Sequence, residues 1–473
     1  MYKDSKGRPI SREKQPIGMG GEGKIYRTLG RYRGHLLKVY FKREYATKKA
    51  AKIAYMIQHS PLKNASAQLR QTIIWPVESA FKDGVFIGFL MPEVSQSIDL
   101  SWLLKTKIPF HKIGEHYQKF DWQNSDSWYY RLNVCYNLAR ALEYVHRSGQ
   151  YTMVDLKPEN LMISSSGIMS FIDTDSFQIS GGGRLLFPAE AFTAAYSPRE
   201  RTRLDLSRDR VSVYWSYFSF ALLAYLILIG EHPFNGVTRV HNTEPGDHIV
   251  KGFYAHGPKY CYRLHDRHKP FRKLPKPLQK MFHLCFDYGL KRPAKRPTFT
   301  DWHKALDKAI ETLYPIPTID LTVNPAIIFP RQPVTFGWVV SNAHHVEVEG
   351  LGKVKWTDKL RFRPKSSTEV CLIATSGNRQ VQKRARVEVV HEPYVIFEAD
   401  PPMVQHGQSV KLSWSTIPEV RIEKTYLNGQ RVYFCRSKRV KPIGDATYRL
   451  DLRWSGGRIQ KHLHLKTSQS ANA

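Results

Sequence analysis

Four polar side chains within residues 154–179, VDLKPENLMISSSGIMSFIDTDSFQI, have the types and spacing of a reaction centre. Asp155, Lys157 and Asn160 stand close together on a polar turn. Two apolar runs follow, and the second delivers Asp173. Moving a phosphoryl group takes a base for the acceptor hydroxyl's proton, a cation to offset charge on the group in flight, and an amide and a carboxylate to hold magnesium. Asp155, Lys157, Asn160 and Asp173 supply these in order as base, cation and two metal ligands. The same residues could instead form a polar turn joining two strands, so the elements around them must decide.

Upstream, residues 17–26 read IGMGGEGKIY, with Gly18, Gly20 and Gly23 in a GxGxxG arrangement and Gly21 beside them. Glycines there let backbone amides approach phosphates without an intervening side chain, although a plain hairpin turn gives the same pattern. Ile17, Ile25 and Tyr26 suit strands on both sides, a hairpin rather than the strand-to-helix turn of a dinucleotide fold. The next strand, HLLKVYF, sets Lys38 among apolar neighbours, where it either meets nucleotide phosphates or reaches solvent from a strand edge. Residues 43–59 are Ala-rich and helical in spacing, with Pro61 past their end. IIWPVESAF and GVFIGFLMPEV read as a strand pair joined at Lys82, Asp83 and Gly84. Residues 128–148 form a helix that stops at Gly149 and leads into the Asp155 turn.

DLKPEN, GMGGEG with Lys38, FIDTD, GEHPF and RPT follow one another in an order that resembles a eukaryotic-like (bacterial) serine/threonine protein kinase. The resemblance implies an α+β bilobal fold, ATP as phosphoryl donor, Mg2+ or Mn2+, and a protein substrate. It assigns Ile17, Gly18, Gly20, Gly21, Gly23 and Ile25 to a flap over the nucleotide, and Lys38 to its α and β phosphates. Met91, Glu93 and Val94 become the hinge that meets the adenine ring. Asp155 and Lys157 become the catalytic pair, with Asn160 and Asp173 on the metal. Lys157 favours serine and threonine hydroxyls over tyrosine. Glu200 of AYSPRE would pair with Arg296 of KRPAKRPTF in a structural role. The KVY, WP and GFLMP elements resemble a bacterial subgroup, which would make departures from the common pattern subgroup traits.

Those departures are specific. A kinase helix after the nucleotide lysine usually carries a midway glutamate. Here Glu44 lies too near the start, and the middle offers Lys48, Lys49 and Lys52. Lys38 is then held by another acid, or the site is arranged differently. Met153 and Val154 replace the usual His-Arg, which puts regulation by an activation-loop phosphate in doubt. Thr174 and Asp175 follow Asp173 where Phe and Gly are usual, and Asp175 could join the metal or merely solvate the loop. Arg199 replaces a proline. Trp215 and Ser216 lie where an aspartate usually braces the catalytic loop. Two functions therefore stand side by side: a protein kinase, supported by the four retained polar groups, and a pseudokinase scaffold that senses nucleotide, supported by the missing glutamate.

The remaining chain sets the surroundings. Its 473 residues allow two to four domains, and 42% hydrophobic content argues against global disorder. The formal charge of +31 suits an acidic protein or nucleic acid, or simply a well-solvated basic surface. Five cysteines without a CxxC pair fit a reducing compartment, and the leader MYKDSKGRPISREK has no apolar run behind it, so cytoplasmic residence is expected. Residues 211–230, VSVYWSYFSFALLAYLILIG, could span a membrane but suit the buried central helix of a kinase better, so no membrane span is expected. Residues 251–280 interleave aromatics with basic residues, a pattern of single-strand nucleic-acid binders and more often of a solvated face over core aromatics.

Beyond the Pro-rich break at residues 314–317 the texture turns to short alternating strands. NPAIIFPRQPVTFGW and DPPMVQHGQSVKLSW align as an internal repeat with Trp338 over Trp414, both expected in cores. The two units resemble all-β immunoglobulin-like sandwiches. Cys371 and Cys435 fall in different repeats, so neither has an internal disulfide. The expected domains are the small lobe and hinge at 1–94, the large lobe at 95–313, and sandwiches at 318–391 and 393–468. Basic stretches at 379–386 and 431–441 suit docking to an acidic partner. Substrate identity and oligomeric state have no signature in the sequence.

Overall fold

The computed structural model describes all residues except 95, 236–243, 259–263, 265, 434–435 and 469–473. The chain divides into two compact units, Met1–Tyr314 and Pro315–Ala473. The first is a bilobal kinase fold, and the second is a pair of β-sandwiches.

In the small lobe, the hairpin of Gly18–Met19 and Gly23–Leu29 runs into the strand His35–Tyr40, which pairs in turn with Val85–Pro92. These strands belong to one seven-stranded sheet, and the helix Arg43–Gln58 buries Ala46, Ile53 and Met56 against it. Two glycines set how closely the central strands approach. A Cβ on Gly88 would stand 1.8 Å from the Lys38 carbonyl oxygen, and one on Gly23 would stand 2.4 Å from that of Val39. Any larger residue would push apart the strands that carry Lys38. The turn joining Glu78–Lys82 to Val85–Pro92 has Asp83 at φ 52° and Gly84 at φ 78°, the left-handed pair that an Asp-Gly hairpin requires.

The large lobe packs the helices Ser127–His146 and Phe299–Leu313 around Val213–Ile229. The last of these contains the apolar stretch that raised the membrane question. It is a core helix: Phe218, Phe220, Leu222 and Leu223 are completely buried within the lobe, and Gly230 at φ 78° ends it. Among the described residues no helix is long and apolar enough to cross a membrane. The closing helix starts at Phe299, where Thr298 and Asp301 form a reciprocal capping box that makes Asp301 the third helical residue. In 251–280, Tyr254 and Phe271 lie in the core and Phe253 packs against it. Among the described residues of this stretch, these aromatics serve the core. Tyr260 and Tyr262 lie outside the described residues.

In the second unit the same topology occurs twice. Thr318–Asn324, Val334–Ser341 and Thr357–Phe362 form a three-stranded sheet that shares its core with a five-stranded one. Tyr394–Asp400, Val410–Ile417 and Ser437–Val440 repeat it. Inward and outward residues alternate along Val334–Ser341, as a sheet with one buried face demands. Trp338 and Trp414, 5% and 4% exposed, occupy equivalent core positions. Cys371 is a buried free thiol, and Cys435 lies outside the described residues.

Candidate active site

The Asp155 turn is built by a proline. Pro158 opens the single helical turn Pro158–Asn160, where its missing N–H costs nothing, and the strand Leu161–Ser164 then pairs with Met169–Phe171. The Ile172 amide donates to the Asn160 carbonyl at 3.0 Å, which brings the second acidic segment beside the first. Asp173 itself sits in left-handed backbone, φ 60° and ψ 35°. Such geometry is uncommon outside glycine and clusters at functional positions.

Around Asp155 the polar groups converge. Lys157 Nζ lies 2.8 Å from Asp155 Oδ2. The Asn160 side-chain amide donates to the Asp155 carbonyl at 2.8 Å, leaving the side-chain oxygen as the half of the amide suited to a cation. Thr193, with no role assigned from the sequence, donates both its amide (2.9 Å) and its hydroxyl (2.8 Å) to Asp155 Oδ1. Its hydroxyl also accepts from Lys157 Nζ at 3.3 Å.

The Lys38 end is arranged by residues the motif did not single out. Lys38 Nζ contacts Asp173 Oδ1 at 2.7 Å, so the two predicted residues share one site although they are far apart in sequence. It also contacts both oxygens of Asp175, at 2.8 and 2.9 Å. Asp175 is completely buried and accepts from the Tyr40 hydroxyl at 2.8 Å. Full burial does not suit loop solvation, and the contacts make Asp175, with Asp173, an acid that meets Lys38 in the absence of a helix glutamate. Burial alone would raise its pKa, but Lys38 and Lys49 overcome this and keep the carboxyl well below the usual range. Asp173 is pushed the other way, by burial and by the charge of Asp175. Burial lowers the Lys38 value, and the carboxylates of Asp175 and Asp173 more than restore it.

The helix Arg43–Gln58 faces this site with a cation. Lys49 Nζ lies 3.7 Å from Asp175 Oδ2, 3.1 Å from Glu22 at the tip of the glycine hairpin, and 3.3 Å from Glu190. Gly18, Gly20 and Gly21 have no atom within 4 Å of where a Cβ would stand, so internal packing does not demand glycine there. Backbone left bare in this way fits the close approach of phosphates. The residues present therefore fit magnesium and ATP: Gly18, Gly20, Gly21 and Lys38 would hold phosphates, and Asp173 with Asn160 would hold the ion. Among the described residues no cluster of three or more His, Cys, Asp or Glu could hold a metal by itself, whereas magnesium is commonly bound by one or two protein groups together with phosphates.

Of the expected hinge, Met91 is buried and paired opposite Leu36, and Val94 packs at the edge of the core. The Glu93 amide donates to the Gly34 carbonyl at 2.9 Å and its carboxylate pairs with Arg27 at 2.8 Å. Ile17 and Ile25 join across the hairpin, amide to carbonyl at 2.8 Å.

Two features brace the catalytic turn. In place of an aspartate, the Trp215 indole donates to the Val154 carbonyl at 2.9 Å and the Ser216 hydroxyl to that of Met153 at 3.0 Å. The turn is anchored through its backbone by uncharged donors, so loss of the aspartate does not release it. Farther out, Arg296 meets Glu200 through two parallel bonds, 2.5 and 2.8 Å, and donates to the carbonyls of Gly289 and Tyr214. This bidentate pair is the one expected from AYSPRE and KRPAKRPTF.

His232 of GEHPF adds a pH-dependent tie. Its Nδ1 accepts from the Phe234 amide at 3.1 Å, which fixes Nε2–H as the donor to the Ala195 carbonyl at 2.8 Å. Burial holds the imidazole neutral and lowers its pKa to about 4. Because the unfolded ring binds its proton near pH 6.5, stability present above that pH is lost as acidity rises toward pH 4. Across this window the loss amounts to roughly 2–3 kcal/mol. Melting measured from pH 7 to pH 4.5 should fall less steeply in His232→Gln, and parallel curves would remove His232 from the account.

A protein kinase domain model matches residues 11–307. Protein kinase YegI of Escherichia coli O157:H7 is 27% identical over 305 residues, 62% of this chain and 43% of its own. Protein kinase YegI of Escherichia coli strain K12 is 27% identical over 308 residues, 63% of this chain and 44% of its own. The chain thus spans less than half the length of these curated relatives. Because the matched region takes in both lobes and every polar residue gathered above, and exceeds half the sequence, the chain belongs to the protein kinase family.

Proposed function

We propose that the chain transfers the γ-phosphoryl group of ATP to serine or threonine hydroxyls of a protein substrate. The observation that carries this reading is the seat of the Thr193 hydroxyl, 2.8 Å from Asp155 and 3.3 Å from Lys157. An aliphatic hydroxyl fits between the base and the cation there, with its proton directed at the carboxylate. Asp155 would take the proton from the substrate hydroxyl, and Lys157 would offset charge on the transferred group. Lys38 and the glycine hairpin would hold the phosphates, with Asp173 and Asn160 as ligands to a divalent ion. Magnesium, when bound, neutralises the phosphate oxygens.

The pseudokinase reading drew its support from the missing helix glutamate. Asp175 supplies Lys38 with a buried carboxylate, which takes away that support. We place the lobes at 1–94 and 95–313 and immunoglobulin-like sandwiches at 318–391 and 393–468, with their basic surfaces docking an acidic partner. Incubation with γ-labelled ATP and magnesium, followed by phosphoamino-acid analysis of a mixed protein substrate, tests the reading. Label on serine or threonine is expected. Nucleotide binding with no transfer would reject the kinase, and label on tyrosine would reject the specificity.

A further inference from the structure

Resting on the kinase reading, we propose that Asp175 is the positioning residue for Lys38 and Lys49 its obligatory counter-cation. Together they form a charge-reversed clamp in which the acid sits on the magnesium-binding segment and the cation on the helix. Three observations carry this. Asp175 is completely buried and touches Lys38 with both oxygens. Lys49, 2% exposed, lies on the other side of that carboxylate. Lys52, 3% exposed, reaches the Pro188 carbonyl from the same helix.

The physical argument is one of charge balance. A buried ammonium is tolerated only when paired, and three approach this segment. Glu22 and Glu190 also face Lys49, but both are partly exposed. Asp175 is the fully buried carboxylate between Lys38 and Lys49. Without its charge, the helix would present Lys49 to Lys38 as a like charge and repel the strand it packs on. Burial first, and then the neighbouring charge of Lys49, press the Lys52 pKa down to about 8. The clamp also has a mechanical meaning, because Asp175 lies two residues from Asp173. The segment bearing the metal ligand cannot swing out without releasing both lysines.

The test uses the full chain and three variants: Asp175→Asn, Lys49→Glu, and the double variant Asp175→Gly/Lys49→Glu, which moves the acid onto the helix. Affinity for a fluorescent ATP analogue with magnesium, kcat/KM for ATP, thermal unfolding, and acylation of Lys38 by an amine-reactive ester without nucleotide are measured on each. The two single changes should weaken nucleotide affinity about tenfold or more and kcat/KM about a hundredfold, and Asp175→Asn should raise Lys38 acylation severalfold. The double variant should return to within about tenfold of the native kcat/KM with native-like acylation, a rescue that also answers any single variant too unstable to fold. Native-like affinity and acylation in Asp175→Asn, or a double variant no better than the worse single one, overturns the clamp. A native chain that binds no nucleotide sinks the kinase reading instead, while Lys38 acylation still decides the pairing.

Discussion

Asp155→Asn should lower phosphoryl transfer by about two to four orders of magnitude while leaving nucleotide affinity within about threefold of native. Asparagine keeps the size and one acceptor of the side chain, so Asn160 and Thr193 retain their contacts. What disappears is the capacity to take a proton and the attraction for Lys157 at 2.8 Å. Asp155 touches none of the glycine hairpin residues and lies outside the Lys38 cluster, so binding of ATP should persist. The loss therefore falls on kcat, as expected for a group that acts only while the hydroxyl is being deprotonated. Asp173→Asn offers the contrast. It removes a carboxylate that contacts Lys38 and would hold the ion, so both magnesium-dependent binding and transfer should fall. Equal behaviour of the two variants, or more than a tenth of native turnover in Asp155→Asn, would falsify the assignment of the base.

Glu200→Ala should cost about 3–5 kcal/mol of stability and lower the melting temperature of the kinase unit by roughly 10 °C. The Arg296 side chain has no exposed surface, so removal of Glu200 leaves a guanidinium in the interior with the carbonyls of Gly289 and Tyr214 and the Phe218 ring but no counter-charge. That penalty is the desolvation of an uncompensated charge, which greatly exceeds the net worth of the intact pair. Replacement of both partners, Glu200→Leu with Arg296→Met, should accordingly be milder than Glu200→Ala. Calorimetry of the native chain and the two variants decides. A single variant that melts within about 2 °C of native would show that the pair does not stabilise the large lobe.

What could be read from the sequence was whatever is local or stereotyped. DLKPEN is legible because its polar residues are neighbours and their spacing is fixed by one turn. The Asp83–Gly84 turn is legible because few residues accept its backbone. The alternation that marks Trp338 and Trp414 as core residues follows from the two-residue period of a strand. Asp175 was visible as an anomaly but not as a solution, since its partner Lys38 lies 137 residues away. A clue did exist: a helix rich in lysine where an acid is usual implies an acid displaced elsewhere, and DTD supplies one. Trp215 and Ser216 were harder, because a side chain that donates to a backbone carbonyl leaves no complementary residue to find.

The indole of Trp215 neither titrates nor gathers counterions. Where a carboxylate anchor would slacken in acid or in concentrated brine, the support beneath Asp155 keeps its strength in both. The backbone of the reacting turn is thereby held by contacts that neither acid nor salt weakens, in contrast to the ion pair of Lys157 with Asp155 above it.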